Sequence, residues 1–312
     1  MKPFHEIPTS NFDSQLLQRE LGSNGYVLIR GLIPRAHIRN VLADITSVLS
    51  DAKWLSPSHD PLERIANSSA ACGDPDPSFK RTYQEVFNLE SFHALPHHPA
   101  LKHVMKLVVG EHLLIHPKPI GRMIFPHREN LTVHAHQDYR FMNGDPQCFT
   151  VWIPLHDCPV DLGPLQVLEG SHRLGVIDHA HESLHVPEIP ADAVSEGEWA
   201  GGQIDAGDVL IFHSLTVHAA SSNRSDRLRI SLDCRFQDYT RAIHPGNLAF
   251  AGESGKSWKK TYAHWCSNEL KYYWRRIPLH LQPSKSEIEQ LSKTADLAST
   301  RARYARILSQ LD

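Results

Sequence analysis

The run Leu228-Arg229-Ile230-Ser231-Leu232-Asp233-Cys234-Arg235-Phe236 alternates without a break. Successive side chains of a β-strand point to opposite faces. One face therefore carries Leu228, Ile230, Leu232, Cys234 and Phe236, and the other Arg229, Ser231, Asp233 and Arg235. The apolar face asks for a core. A polar face on a core strand is costly to bury unless its groups find partners, and a dicarboxylic ligand would supply one for Arg229, whose planar fork matches a carboxylate bidentately. Ser231 can add a hydroxyl on the same face.

Other short strand-like runs precede this one: 113–115, 123–125, 131–133, 149–155, 165–168 and 209–212, separated by Gly, Pro, Asp and Asn turns. That punctuation predicts a jelly roll. Before it, 13–21 reads as a helix ended by Gly22, Tyr26–Arg30 as a strand, and Ile38, Val41, Leu42, Ile45, Val48 and Leu49 as the stripe of an amphipathic helix after Pro34. Residues 51–78 read as a long irregular loop, and 79–94 and 99–109 as helices. After 250 the chain turns aromatic and helical, with Ser286 and Glu289 as a capping box ahead of a helix through Ala302. The expected class is α+β: residues 1–312 as one domain with a double-stranded β-helix (jelly-roll, cupin-like) core at about 112–240, flanked by N-terminal and C-terminal helices. Residues 173–203 would form a lid insertion and 250–312 a helical extension.

Composition limits the classes. With 41% hydrophobic and 21% charged residues the chain can bury a core. A net charge of −3 argues against general nucleic-acid binding. The five cysteines (72, 148, 158, 234 and 266) form no C-x-x-C and fit free thiols in a reducing compartment. No signal peptide or membrane-spanning run is evident, so a cytoplasmic protein is expected. The 22 histidines exceed what one mononuclear site can use, and each proposed ligand needs its own argument.

His136-Gln137-Asp138 places an imidazole and a carboxylate at i and i+2, on one face of a strand, and His218 follows downstream. Two histidines and a carboxylate with open coordination positions are the donor set of non-haem Fe(II) oxygenases. His134, the pair His127 and Glu129, and His213 are competing sites, with His213 the rival to His218, while His172, His97 and His98 read as structural or exposed. Gly252 to Ser257 lacks the first glycine of a phosphate loop, since position 250 is Phe250.

These motifs, with Thr150 to Leu155, the Gly163-Pro164-Leu165 to Gly170-Ser171-His172 segment, and Arg229 eleven residues after His218, resemble the phytanoyl-CoA dioxygenase family over roughly 20–240. The resemblance implies an Fe(II)- and 2-oxoglutarate-dependent dioxygenase that consumes O2, releases succinate and CO2, and hydroxylates or otherwise oxidises an unactivated C–H bond. It implies His136, Asp138 and His218 as iron ligands. It assigns Arg229 and Ser231 to the far carboxylate of 2-oxoglutarate, with Trp152 and Gln137 as further cofactor contacts. Related halogenases have a small residue where this chain has Asp138, so hydroxylation is favoured over halogenation. A small-molecule substrate is expected, anionic if Arg122, Arg140 and Arg235 face the pocket, in a monomer or homodimer with no membrane or nucleic-acid partner. A metal-dependent hydrolase or isomerase on the same barrel, or a barrel that only binds metal, are the alternatives; neither gives Arg229 a defined task.

Overall fold

The computed structural model describes residues 1–9, 13–74, 76–128, 133–178, 189–194, 197–250 and 256–311. In chain order β1 (Glu6–Pro8), α1 (Ser14–Asn24), β2 (Tyr26–Arg30) and α2 (Arg35–Asp51) are followed by α3 (Pro77–Phe87), α4 (Glu90–Ala94) and α5 (Pro99–Val109). Then come β3 (Leu113–Ile115), β4 (Ile120–Ile124), α6 (Tyr139–Met142), β5 (Cys148–Pro154), β6 (Leu165–Leu168), β7 (Trp199–Ala200), β8 (Val209–His213), β9 (His218–Ala220) and β10 (Arg229–Asp238). The chain finishes with α7 (Trp258–Thr261), α8 (Lys285–Thr294) and α9 (Ala298–Leu311).

The larger sheet runs β1-β2-β8-β5-β10. On the far edge of β10, β4 pairs with Arg229 to Asp233 and β3 with Phe236 to Asp238. The smaller sheet is β7-β6-β9, and His136 adds a bridge to its β9 edge. Between the sheets lie Tyr26, Leu28, Trp152, Leu210 and Phe212 from the larger, against Leu165, Val167 and Ala200 from the smaller. The opposite face of the larger sheet, including Val151, Ile153, Ile230 and Leu232, packs on the α2 stripe of Ile38, Val41, Leu42, Ile45 and Leu49. This is the expected α+β jelly roll flanked by helices. It leaves the polar face of β10 turned inward.

Several boundaries differ from expectation. Helix α1 continues past Gly22 to Gly25, whose φ of 79° takes the left-handed conformation and whose N–H caps the Leu21 carbonyl. A Cβ there would come within 2.4 Å of His172 Nδ1, so the glycine is needed for space as well as for turning. The 79–94 segment splits into α3 and α4 around Asn88 and Leu89. The capping box belongs to Ser284 and Glu287, two residues earlier than read, while Glu289 sits further into α8 and pairs with Lys293 at 2.8 Å. That helix ends at Thr294 instead of running on to Ala302, which lies in α9. Within the proposed lid at 173–203, residues 179–188 and 195–196 lie outside the described residues, as do 131–132 of the expected 131–133 strand and 251–255 of the glycine-rich loop. All five cysteines are free.

The C-terminal segment is packed into the main core. Trp258, Tyr262, Trp265 and Trp274 join the cluster formed by the N-terminal helices and β10. Trp258 Nε1 donates to the Leu248 carbonyl at 2.8 Å and Trp265 Nε1 to that of Asn88 at 2.8 Å. Trp258→Ala is expected to cost ~3–5 kcal/mol in urea unfolding, the usual loss for a buried aromatic. Leu297, 67% exposed, should tolerate alanine to within ~0.5 kcal/mol.

Candidate metal and cofactor site

His136 and His218 face each other across an antiparallel bridge, exchanging backbone hydrogen bonds of 3.1 and 3.0 Å. Their ring centroids are 4.1 Å apart. His136 Nδ1 contacts the His134 carbonyl at 2.8 Å, and His218 Nδ1 the Thr216 carbonyl at 3.0 Å. A carbonyl only accepts, so each Nδ1 carries the proton and each Nε2 presents its lone pair inward. Asp138 Oδ1 lies 3.8 Å from His136 Nε2 and 3.9 Å from His218 Nε2. Ligand atoms from the three buried residues all fall within 4.8 Å of one another, a spacing suited to one ion.

The carboxylate arrives by a different route from the one the spacing suggested. Asp138 is the N-cap of α6, with helical φ and ψ of −62° and −30°, so a turn swings it beside His136. Burial alone would raise its pKa. The charge of Arg235, the two imidazoles and the Thr150 hydroxyl outweigh that and hold it well below the usual carboxylate range. Arg235 Nη2 donates to Oδ1 at 3.0 Å and Thr150 Oγ1 to Oδ2 at 2.5 Å. Burial, helped by the His218 ring, pushes His136 down to about 3, and burial lowers His218 despite Asp138. The cluster is one carboxylate between two neutral rings.

The inner face of β10 supplies the rest. Arg122 of β4 donates from Nε to Asp233 Oδ2 at 3.0 Å, so Asp233 and Arg235 both have protein partners. Arg229 is only 2% exposed; its Nη1 donates to the Gly163 carbonyl, and its Nε has no partner. Ser231 Oγ and Trp152 Nε1 are likewise buried without partners. Arg229 Nε and Trp152 Nε1 can only donate and Ser231 can do so, and each costs ~1–3 kcal/mol if left unsatisfied. A carboxylate-bearing cofactor fits that set. Gly163, at φ 75°, is where the chain turns to offer its carbonyl to Arg229, and a Cβ there would meet the Ser221 carbonyl at 2.2 Å.

The other candidates fall elsewhere. Gln137 points away: its Nε2 donates to the Gly175 and Leu215 carbonyls at 2.8 and 2.7 Å, and its Oε1 accepts from Ile177 N at 2.9 Å. With its amide spent on backbone, it ties the 175–177 segment to the site instead of offering a group to the cofactor. His213 accepts from Leu215 N at 3.1 Å and lies tilted against His172 with ring centroids 5.7 Å apart, outside the cluster. His127 and His134 are exposed, Glu129 lies outside the described residues, and His98 caps α5 beside His37. Arg140 is exposed on α6, whereas Arg122 and Arg235 face the site already paired with carboxylates. Thr150 and the Asp138-bonding role of Arg235 were not foreseen. They depend on the register that sets Thr150 opposite Arg235 across β5 and β10, which neither strand reveals alone.

A cavity of about 700 Å³ opens onto His136 and Asp138, with Phe79, Tyr83, Phe125 and Phe250 in its walls. The phytanoyl-CoA dioxygenase family model matches residues 21–231. The chain belongs to this family. It is an Fe(II)- and 2-oxoglutarate-dependent dioxygenase, an oxidoreductase. Among its relatives is the 1-deoxypentalenic acid 11-beta-hydroxylase of Streptomyces exfoliatus, 24% identical over 257 residues that span 72% of this chain and 81% of that protein. The enzyme of the same name from Streptomyces arenae is 24% identical over 242 residues, with the same coverage of both chains. Among solved structures, the epimerase SnoN in complex with Fe3+, α-ketoglutarate and nogalamycin RO superposes with a TM-score of 0.56 at 20% identity, covering 78% of this chain and 92% of that one. That likeness concerns the fold.

His156 connects the site to stability. Its Nε2 accepts from Ile230 N of β10 at 2.9 Å, and burial, with Arg64 nearby, pushes it down from 6.5 to about 3. The unfolded chain takes up this proton as pH falls through 6.5 and the folded chain only near 3, so the stability present above pH 6.5 is lost on acidification across that window. Between pH 6 and 4, His156→Gln should lower the slope of unfolding free energy against pH by about 1.4 kcal/mol per unit. Equal slopes for the two proteins would show that folding does not depress this histidine.

Proposed function

We propose that His136, Asp138 and His218 ligate a single Fe(II), and that Arg229, Ser231 and Trp152 receive the far carboxylate of 2-oxoglutarate. The observation that carries this reading is the buried Arg229, whose Nε is left without a partner in company with Ser231 Oγ and Trp152 Nε1. When bound, the iron with 2-oxoglutarate and O2 supplies the oxidising power, yielding succinate and CO2 as a substrate C–H bond is oxidised. The chain's own residues prepare that site. The His134 and Thr216 carbonyls hold the imidazoles in the tautomer that presents Nε2. Arg235 and Thr150 keep Asp138 ionised, oriented and available to a cation. The jelly-roll walls exclude water, and no general base is needed. Asp138 occupies the position that a halide-binding site would need empty, which favours hydroxylation.

In this reading residues 1–312 form one oxygenase domain, cytoplasmic and either monomeric or homodimeric. The substrate is an anionic small molecule, in keeping with relatives named for acting on an organic acid.

Anaerobic addition of Fe(II) and 2-oxoglutarate should produce a weak visible charge-transfer band that Asp138→Ala abolishes. His218→Ala should lose iron and His213→Ala keep it; the reverse would reassign the distal ligand. Arg229→Gln should weaken 2-oxoglutarate binding about 10- to 100-fold with iron affinity unchanged, the scale of a buried charge-assisted hydrogen bond.

A further inference from the structure

The chain carries a net charge of −3, yet the wall of the cavity above the triad is basic. Among the described residues lining it are seven Lys or Arg side chains and two carboxylates, Asp74 and Asp138. Asp138 is matched by Arg235 at 3.0 Å, Arg122 is matched by Asp233 at 3.0 Å and Lys80 lies 4.0 Å from Asp74, which still leaves more cations than carboxylates around the cavity. Such a local excess of positive charge in a concave site raises the local concentration of anions.

Part of that excess is gathered by the C-terminal extension. Lys118, just before β4, donates from Nζ to the Gly246 and Ala249 carbonyls at 3.0 and 2.9 Å and lies 5.6 Å from the Phe250 ring centroid. His244 Nδ1 accepts from Gly246 N at 3.1 Å, which leaves Nε2–H as its donor. Arg303 of α9 comes over the same glycine: a Cβ at Gly246 would sit 2.9 Å from His244 Nδ1 and 3.8 Å from Arg303 Nη2. Arg303 and Lys118 lie close enough to His244 to add to burial in lowering its pKa. The group shares its cavity with His136 and Asp138, and the segment that carries His244 is tied to α6: Asn247 Nδ2 donates at 2.8 Å to the carbonyl of Met142, the last residue of that helix, whose N-cap is Asp138. Phe79, Tyr83, Phe141 and Phe250 provide apolar wall in the same cavity.

We infer that Lys118, His244 and Arg303 form a recognition site for an anionic group of the substrate, a carboxylate or a phosphate, carried on an apolar body that rests against these aromatic rings. The C-terminal extension thereby selects which molecules reach the metal. This deepens the proposed function and rests on the cavity above the triad being the substrate site. Arg229 serves a different anion, the cosubstrate, from inside the barrel.

The test uses the full chain and two fluorescent probes of one skeleton: 1-anilinonaphthalene-8-sulfonate and its neutral counterpart N-phenyl-1-naphthylamine. The sulfonate is expected to bind the parent more tightly. Arg303→Gln and Lys118→Gln should each weaken it about tenfold, the size of one partly screened charge-assisted contact. Both should leave the neutral probe and 2-oxoglutarate affinity unchanged, and Arg128→Gln, which alters another cation of the wall, should change neither probe. Dodecanoate or dodecyl phosphate should displace the sulfonate and dodecanol should not, with the stronger competitor identifying the headgroup. Equal affinity of the parent for both probes, sulfonate affinity untouched by Arg303→Gln, or equal weakening of both probes would overturn the inference. Absence of the Fe(II)–2-oxoglutarate band would instead count against the metal reading, and the probe affinities would still decide the anion site.

Discussion

A buried carboxylate flanked by two imidazoles is stable only if something keeps it charged, and here that is Arg235 with Thr150. An isolated carboxylate in such a place would take up a proton. The Arg235 guanidinium is itself buried; burial works against its charge, and Asp138 together with Asp233 more than restores it. Neither ion is tolerable without the other. Their pairing requires β5 and β10 to be adjacent in one particular register, and it requires α6 to begin where it does. The central strands of the larger sheet are thus committed to the metal site as much as to the core.

The same pairing explains how β10 can be buried on both faces. Ile230, Leu232, Cys234 and Phe236 enter the helix-backed core. On the other face Asp233 is matched by Arg122 and Arg235 by Asp138. Arg229 and Ser231 keep unsatisfied capacity at one end of that row. A protein interior rarely leaves such groups idle, and an ordered water, an ion or a ligand is what completes them. Arg235 Nε is also without a partner, so the pairing satisfies this row only in part; in the proposed reading the open donors of Arg229 and Ser231 receive the cosubstrate.

Alternation was enough to read β10 and to anticipate its inward polar face, because it is a local property of the chain, and short apolar runs marked β2, β3, β5, β6 and β8, whereas the short strands β1, β7 and β9 carry no such signal. Periodicity was enough for α2, whose stripe is regular. It failed where a backbone position is decided by a distant contact. Gly25, and not Gly22, ends α1 because His172 and Thr216 crowd that spot. Gln137 looked like a cofactor contact by its place between two proposed ligands, but the turn into α6 sends its amide to the 175–177 and 215 backbones. His136 and His218 were recognisable as donors from residue type and order, whereas the carbonyls that orient their rings have no side-chain signature at all. Thr150 was invisible for a related reason: a threonine in a strand looks like any β-branched residue until its cross-strand partner is known.

Arg235 also marks a boundary. The family match ends at residue 231, four positions before the arginine that keeps the metal-site carboxylate ionised and well before the residues that border the cavity from 244 onward. The proposed iron ligands His136, Asp138 and His218 and the proposed cosubstrate residues Arg229, Ser231 and Trp152 lie within the matched span. One side of the cavity comes from outside it, with His244, Phe250 and Arg303 on the C-terminal side, while the 72–80 loop and α3, which lie within the matched span, face them across the space. Those C-terminal residues are held in place by the packing of Trp258, Tyr262 and Trp274 on the common core, so the cavity wall cannot be exchanged without disturbing the fold behind it. In the proposed reading the barrel carries the reaction, and the C-terminal residues packed against it contribute to which substrate is admitted.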